Sequence, residues 1–244
     1  MRKLFVIVTT FLLSMAGIAQ NGFYLGYENG GLFERYNYVN SKANTLTQAS
    51  IGGIFGGYFG FKYDSYTVET GFYGLSSSHP LVDFNYSTSE VSKSLSMSSG
   101  QESWLIPLRF GKEFLVAQNK IFIKPEIGFN VMISRDYSEN QPMMGWGENV
   151  SMFPGDNSYI PTGSDSTRAY GYIPSKINFS IEPGISSGYR FKEKADIYLK
   201  CSYIANFNPS YYETITHYSE TGTVYATRNM SNSILFQIGL KYYF

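Results

Sequence analysis

Eight stretches of this chain alternate apolar and polar residues with a period of two, and helical periodicity is nearly absent after the first twenty residues. Successive side chains of a strand point to opposite faces, so the pattern predicts strands. The stretches run over about 22–30, 49–62, 66–76, 103–115, 120–134, 175–191, 195–207 and 232–244. In the sixth, Ile177, Phe179, Ile181, Ile185, Tyr189 and Phe191 share one face, and Asn178, Ser180, Glu182, Gly184, Ser186, Gly188 and Arg190 share the other. The last keeps Ile234, Phe236, Ile238, Leu240, Tyr242 and Phe244 in register up to the final residue. Chain ends usually fray, so such a row predicts that this end is buried or recognised.

The connections sharpen the reading. "YDS" (63–65), "VAQN" (116–119) and "KEK" (192–194) are short, whereas 31–48, 77–102, 135–174 and 208–231 are long. Long and short alternate along the whole chain. In an up-and-down antiparallel set, alternate connections lie at opposite ends, so all short turns share one end and all long loops the other. Barrels of the outer-membrane type have this form. The expected fold is therefore all-β: an eight-stranded antiparallel up-and-down transmembrane β-barrel with four long extracellular loops, three short periplasmic turns and both termini periplasmic.

Composition decides which face points out. Lys+Arg and Asp+Glu are both 19, giving zero net charge, which argues against a nucleic-acid partner. Charged residues are only 16 % of the chain, and Tyr, Gly and Phe are abundant. The non-apolar face is rich in Gly, Ser and Asn rather than densely charged. It carries six acids (Glu28, Glu69, Glu113, Glu126, Glu182, Asp196) and six bases (Lys62, Arg109, Lys124, Arg190, Lys200, Lys241). A water-facing surface would be more charged. Small residues and balanced charges suit the inside of a narrow barrel, where eight strands leave just enough room for their own side chains, and where an unpaired charge is costly. A plugged lumen without a wide pore follows, with those residues as its charge network. Lys112 interrupts the apolar row of the fourth strand near its end. Pro107, Pro125 and Pro183 fall inside strands, where each removes a ladder donor, and they count against a closed barrel unless bulges or water absorb them.

Residues 1–19 have the form of a cleaved signal peptide: Arg2 and Lys3, an apolar core, then Gly17-Ile18-Ala19 before Gln20. No Cys follows that core, so no lipoprotein anchor is expected. The barrel domain is expected over 20–244. The chain's single cysteine, Cys201, permits no internal disulfide and reads as a small lipid-facing residue.

The terminal "QIGLKYYF" resembles the C-terminal insertion signal of bacterial outer-membrane barrels, through Gln237, Gly239, Tyr242 and Phe244. The resemblance implies that the outer-membrane barrel assembly machinery reads this strand. "GGYFGFKY" (56–63), "IPLRFGKEF" (106–114) and "KPEIGFNV" (124–131) make the chain similar to small Bacteroidetes barrels, PorT-like and OmpA- or OmpX-like. This implies the outer membrane of a Gram-negative bacterium, with outer-membrane lipids as partners.

"THYSETG" (216–222) resembles the His-x-Ser pair of outer-membrane lipid A deacylases, through His217 and Ser219. In that family a downstream Glu completes the Ser-His-acid hydrolase, and here no Glu or Asp follows Glu220. Both residues fall in an expected loop, and no catalytic role is assigned. His79 reads as a loop residue. "FPGDNSYIPTGSD" (153–165) lacks calcium-loop spacing, and Gly52, Gly53, Gly56 and Gly57 lack a Lys-Ser/Thr to complete a phosphate loop. No cofactor is expected. The aromatic-rich segment 135–174 either binds an extracellular ligand or packs as a cap. The expectation is a non-enzymatic outer-membrane barrel with an envelope or loop-binding role. The alternatives are a part of a secretion or assembly machine, a lipid A hydrolase, and a soluble lipid carrier.

Overall fold

The computed structural model describes residues 21–41, 44–45, 49–78, 82–85, 93–95, 100–135, 143–144, 166–192, 194–219 and 222–244. The expected signal peptide, His79 and segment 153–165 lie outside these. Eight long strands form the wall: β1 (Gly22–Ser41), β2 (Ala49–Tyr63), β3 (Tyr66–Ser78), β4 (Gly100–Lys112, resuming at Phe114–Val116), β5 (Ile121–Ser134), β6 (Ile177–Phe191), β7 (Ala195–Asn206) and β8 (Gly222–Tyr243). Each pairs antiparallel with the next. β8 then pairs with β1, from Tyr24 opposite Tyr243 to Ser41 opposite Ala226. The chain is a closed eight-stranded antiparallel barrel.

Closure explains the terminal alternation: β8 has β7 on one side and β1 on the other, so no edge is left to fray. The three short turns lie at one end. Non-glycine residues with left-handed φ occur only there among the described residues: Asp64 (56°), Ala117 (49°), Gln118 (58°), Asn119 (64°) and Lys192 (48°). Tight reversals force this geometry at a cost of roughly 1–2 kcal/mol per residue for an L side chain.

The prolines are absorbed without a slip of register. Pro107 pairs with Asn130 on β5, but the ladder to β3 breaks between Thr70–Leu108 and Tyr73–Leu105. Pro183 pairs with Ile127 on β5, and the ladder to β7 breaks between Ile181–Ala205 and Gly184–Ser202. Pro125 pairs with Ile185 on β6 and stands beside the break in β4 at Glu113. Each proline thus occupies a gap in one ladder while the other ladder continues. Bulges are not needed.

The strands are longer at the loop end than alternation predicts. β1 continues to Ser41 and β8 begins at Gly222. Tyr211–Ser219 pairs with the upper part of β8, Ser166–Tyr172 pairs with Tyr211–Ser219, and Met143–Met144 pairs with Ser166–Tyr172. The segment 208–231, expected as a loop, is therefore largely a hairpin that continues the wall outward on one side. Its residues carry no apolar row to expose the alternation. The signal they do carry is β-propensity, with Thr, Tyr, Ile and Val recurring in "YYETITHYS" and "GTVYATR". A separate small sheet pairs Asn44–Thr45 with residues of Val82–Asn85, which in turn pair with Lys93–Leu95.

The two faces differ sharply. Leu25, Phe55, Phe72, Phe129, Phe179 and Phe236 are exposed on the outside, as are Leu199 at 67 % and Cys201. The twelve charged residues named above point inward and are buried, as are Ser103, Ser180, Ser186 and Ser202.

Candidate functional site: the lumen

The inward row is set by strand phase, since every second residue of a wall strand faces the lumen. That phase brings all twelve charged residues named above into the interior, each buried, Arg109 to 1 %. Each of the twelve has an opposite charge within 4 Å.

The network has layers along the barrel axis. Nearest the short turns, Glu113 pairs with Lys62 and with Arg190 Nη2 at 2.9 Å. Arg190 also grips Asp196 through Nε and Nη2, both at 2.9 Å, in the bidentate form that suits a guanidinium. The Tyr243 hydroxyl donates to Asp196 at 2.9 Å. Above this, Lys124 lies between Glu69 (2.6 Å) and Glu126 (2.8 Å), and Tyr24 donates to Glu69 at 2.8 Å. Lys241 is held less directly. Its ammonium is 3.9 Å from both Glu69 and Asp196 and stands 4.7 Å from the centre of the Tyr24 ring.

At mid-barrel, Arg109 bonds Glu28 at 2.9 Å and lies 3.5 Å from Glu182. Lys200 joins Glu126 (2.7 Å) to Glu182 (2.8 Å). Glu28 also accepts from Tyr73 (2.7 Å), Tyr198 (2.7 Å) and Gln237 (3.2 Å). Tyr58 on β2 meets Tyr198 on β7 hydroxyl to hydroxyl at 2.7 Å. Glu28 on β1 and Arg109 on β4 are likewise far apart around the wall, so both contacts cross the lumen. Toward the loop end the filling turns apolar, with Leu32, Ile54, Leu75, Leu105, Met132 and Leu235 buried. These aliphatics and the five tyrosines were not among the expected lumen residues, except that Tyr198, Leu235 and Tyr243 fall on the polar side of the alternation. Their only signal is phase, which they share with the charged residues.

Chemically this is a neutralised, cross-braced interior. Burying a charge is costly, and partners offset that cost only if they stay in place, so the network favours one arrangement of the lumen side chains.

The residues of the terminal motif are placed individually. Gln237 points inward onto Glu28, and Gly239 lies opposite both Glu28 and Tyr198. Tyr242 and Phe244 point outward, with rings edge to face at 5.7 Å. His217 and Ser219 lie on the strand Tyr211–Ser219 rather than in a loop. In register, His217 stands opposite Val224 and Thr167, and Ser219 opposite Gly222, so no carboxylate occupies those positions.

No protein-family model matches the chain, and no curated protein matches it. Among solved structures, it is similar to the outer membrane protein OprG from Pseudomonas aeruginosa, at 10 % identity and a TM-score of 0.47, over 91 % of this chain and 95 % of that one. The outer membrane protease OmpT from Escherichia coli matches at 10 % identity and a TM-score of 0.40, over 91 % and 96 %. A major outer membrane protein from Thermus thermophilus matches at 8 % identity and a TM-score of 0.39, over 90 % and 99 %. The barrel itself is defined by its closed set of ladders.

Proposed function

We propose that the chain is a non-enzymatic barrel of a bacterial outer membrane, inserted with its apolar rows in lipid and its lumen closed by the charge network. The outer surface supports this most directly. Among the described outward strand positions the only charges are Arg35, Glu102 and Arg135 toward the loop end and Lys112 toward the short turns. Nothing charged lies between. On β4, Glu102 and Lys112 bracket the row that includes Trp104, Ile106, Leu108 and Phe110. Ten residues at about 3.3 Å each, tilted by about 40°, give a band of about 25 Å, the height expected of a lipid-facing belt. Arg135 pairs with Glu102 and stands over the Trp104 ring, which itself stacks on Phe72 at 4.8 Å. Aromatics also crowd the other rim, at Tyr63, Tyr66, Phe114, Tyr189, Tyr242 and Phe244.

On this reading the short turns and both termini face the periplasm, and residues 1–19 direct export. The assembly machinery reads the terminal strand through Gln237, Gly239, Tyr242 and Phe244. The outward extension of β1, β8, Tyr211–Ser219 and Ser166–Tyr172 is the part offered to an extracellular ligand or to secretion-system proteins. Kinship with the PorT-like and OmpA- or OmpX-like barrels of Bacteroidetes rests on the sequence resemblance alone. The test is fractionation followed by gel migration with and without boiling. Recovery with outer membranes and a shift on boiling support the reading; recovery in the soluble fraction overturns it in favour of a secreted carrier.

A further inference from the structure

Lys112 is out of place on the outer face. It lies in the apolar row of β4, two residues from Phe110 on one side and Phe114 on the other, and points outward with them. Its register partner on β3 is Tyr66. The ammonium stands 5.2 Å from the centre of the Tyr66 ring and 5.4 Å from that of Phe114, both exposed rings. No carboxylate among the described residues pairs with it. The adjacent Glu113 points the other way, into the lumen, where it serves Lys62 and Arg190.

Lysines outnumber acids at this rim. Lys120 lies in the turn before β5, and Lys192 and Lys194 lie in the turn before β7; all three are exposed, and none has an ion-pair partner among the described residues. The acids of the same turns are Asp64, exposed, and Glu193, which lies outside the described residues. Four lysines therefore face two acids here. At the opposite end of the same row, Glu102 already neutralises Arg135.

We propose that Lys112, seated on the Tyr66 and Phe114 rings, is a docking point for the phosphate of an anionic phospholipid in the leaflet that meets the short turns. This rests on the membrane reading above. The chemistry follows from position. A lysine stem lies well on apolar surface while its ammonium reaches the headgroup level. Ring faces steer the cation and leave its donors free for an oxyanion. The remaining lysines supply a diffuse attraction to the same negative surface.

The experiment folds the protein into phosphatidylcholine bilayers. Electron spin resonance then compares spin-labelled phosphatidylglycerol with spin-labelled phosphatidylcholine in the motionally restricted shell around the barrel. The expected preference for the anionic lipid is about two- to five-fold, as one well-placed lysine near a charged headgroup supplies. Lys112→Gln abolishes most of it. Lys112→Arg keeps it. A double Lys120→Gln, Lys194→Gln variant, which spares the rings, keeps most of it. An unchanged preference in Lys112→Gln, or none in the wild type, overturns the proposal while a boiling-dependent gel shift leaves the membrane reading standing. A chain that never enters the bilayer overturns both.

Discussion

The ring of Tyr198 on β7 occupies the space that a Cβ on Gly239 of β8 would need. The two residues are direct cross-strand partners, and the Tyr198 hydroxyl continues inward to Glu28 at 2.7 Å. Gly239 therefore has a packing reason to be glycine, separate from any recognition of the terminal strand. Tyr24 stands in the same way against Gly60, and Tyr58 against Gly26.

Gly239→Ala is expected to displace the Tyr198 ring and to destabilise the barrel by about 1–3 kcal/mol, as overpacking does. Gly57→Ala is the control, because its Cβ would meet nothing nearer than the Gly26 carbonyl oxygen at 3.7 Å. Urea unfolding in detergent micelles should separate the two variants. If Gly239→Ala alone loses insertion in cells while its unfolding midpoint is unchanged, recognition rather than packing explains the glycine.

Arg109→Met leaves Glu28 and Glu182 without their guanidinium. Breaking a buried pair in this way costs about 3–5 kcal/mol. Adding Glu28→Gln should recover part of the loss, since the remaining lumen charge is then better balanced. The same urea titration reads both, and equal midpoints for the single and double variants would refute a coupled network.

Ala117 has a φ of 49°, in a turn where Gln118 and Asn119 are also left-handed. Ala117→Gly should raise the unfolding midpoint by an amount worth up to about 1 kcal/mol, because glycine carries no steric penalty there. A lower midpoint would contradict the strain argument.

Leu199 points outward at the middle of the apolar band, opposite Ile238. Leu199→Lys should cost about 2–4 kcal/mol of stability in a bilayer, as a mid-depth lysine does on a lipid-facing surface. The loss is measured as folding yield into vesicles. A soluble barrel would tolerate the change.

His217→Ala combined with Ser219→Ala should leave lipid A acylation unchanged in cells, read by mass spectrometry. Disappearance of a deacylated species would restore the hydrolase reading, and with it the search for an acid beyond the register partners Val224, Thr167 and Gly222.

The wall was legible in sequence wherever one face is apolar. β6 and β7 match their alternation almost residue for residue, because Ile and Phe outside and Ser, Glu and Lys inside leave a period of two in plain view. The charged lumen residues were legible for the same reason, though not their pairing: that Arg109 of β4 reaches Glu28 of β1 depends on closure, which no local pattern encodes. Legibility failed where both faces are polar. Residues 31–41, 211–219 and 222–230 are strands held by ladder hydrogen bonds without an apolar row, and composition reads them as loops. The inward aliphatics Leu32, Ile54 and Leu105 were missed because a lone apolar residue out of phase looks like noise. The prolines misled because pattern cannot say that a ladder tolerates a gap on one side.

Which medium the outer face touches decides whether this barrel spans a membrane, and the chain carries its own reporter. Cys201 is its single cysteine and points outward on β7, opposite Phe236 and Ile185. A nitroxide attached there, in the protein folded into vesicles, can be challenged with oxygen, which partitions into lipid, and with a water-soluble nickel chelate. A lipid-facing Cys201 gives strong relaxation by oxygen and almost none by nickel. Strong relaxation by nickel and little by oxygen would place Cys201 in water and contradict the membrane reading.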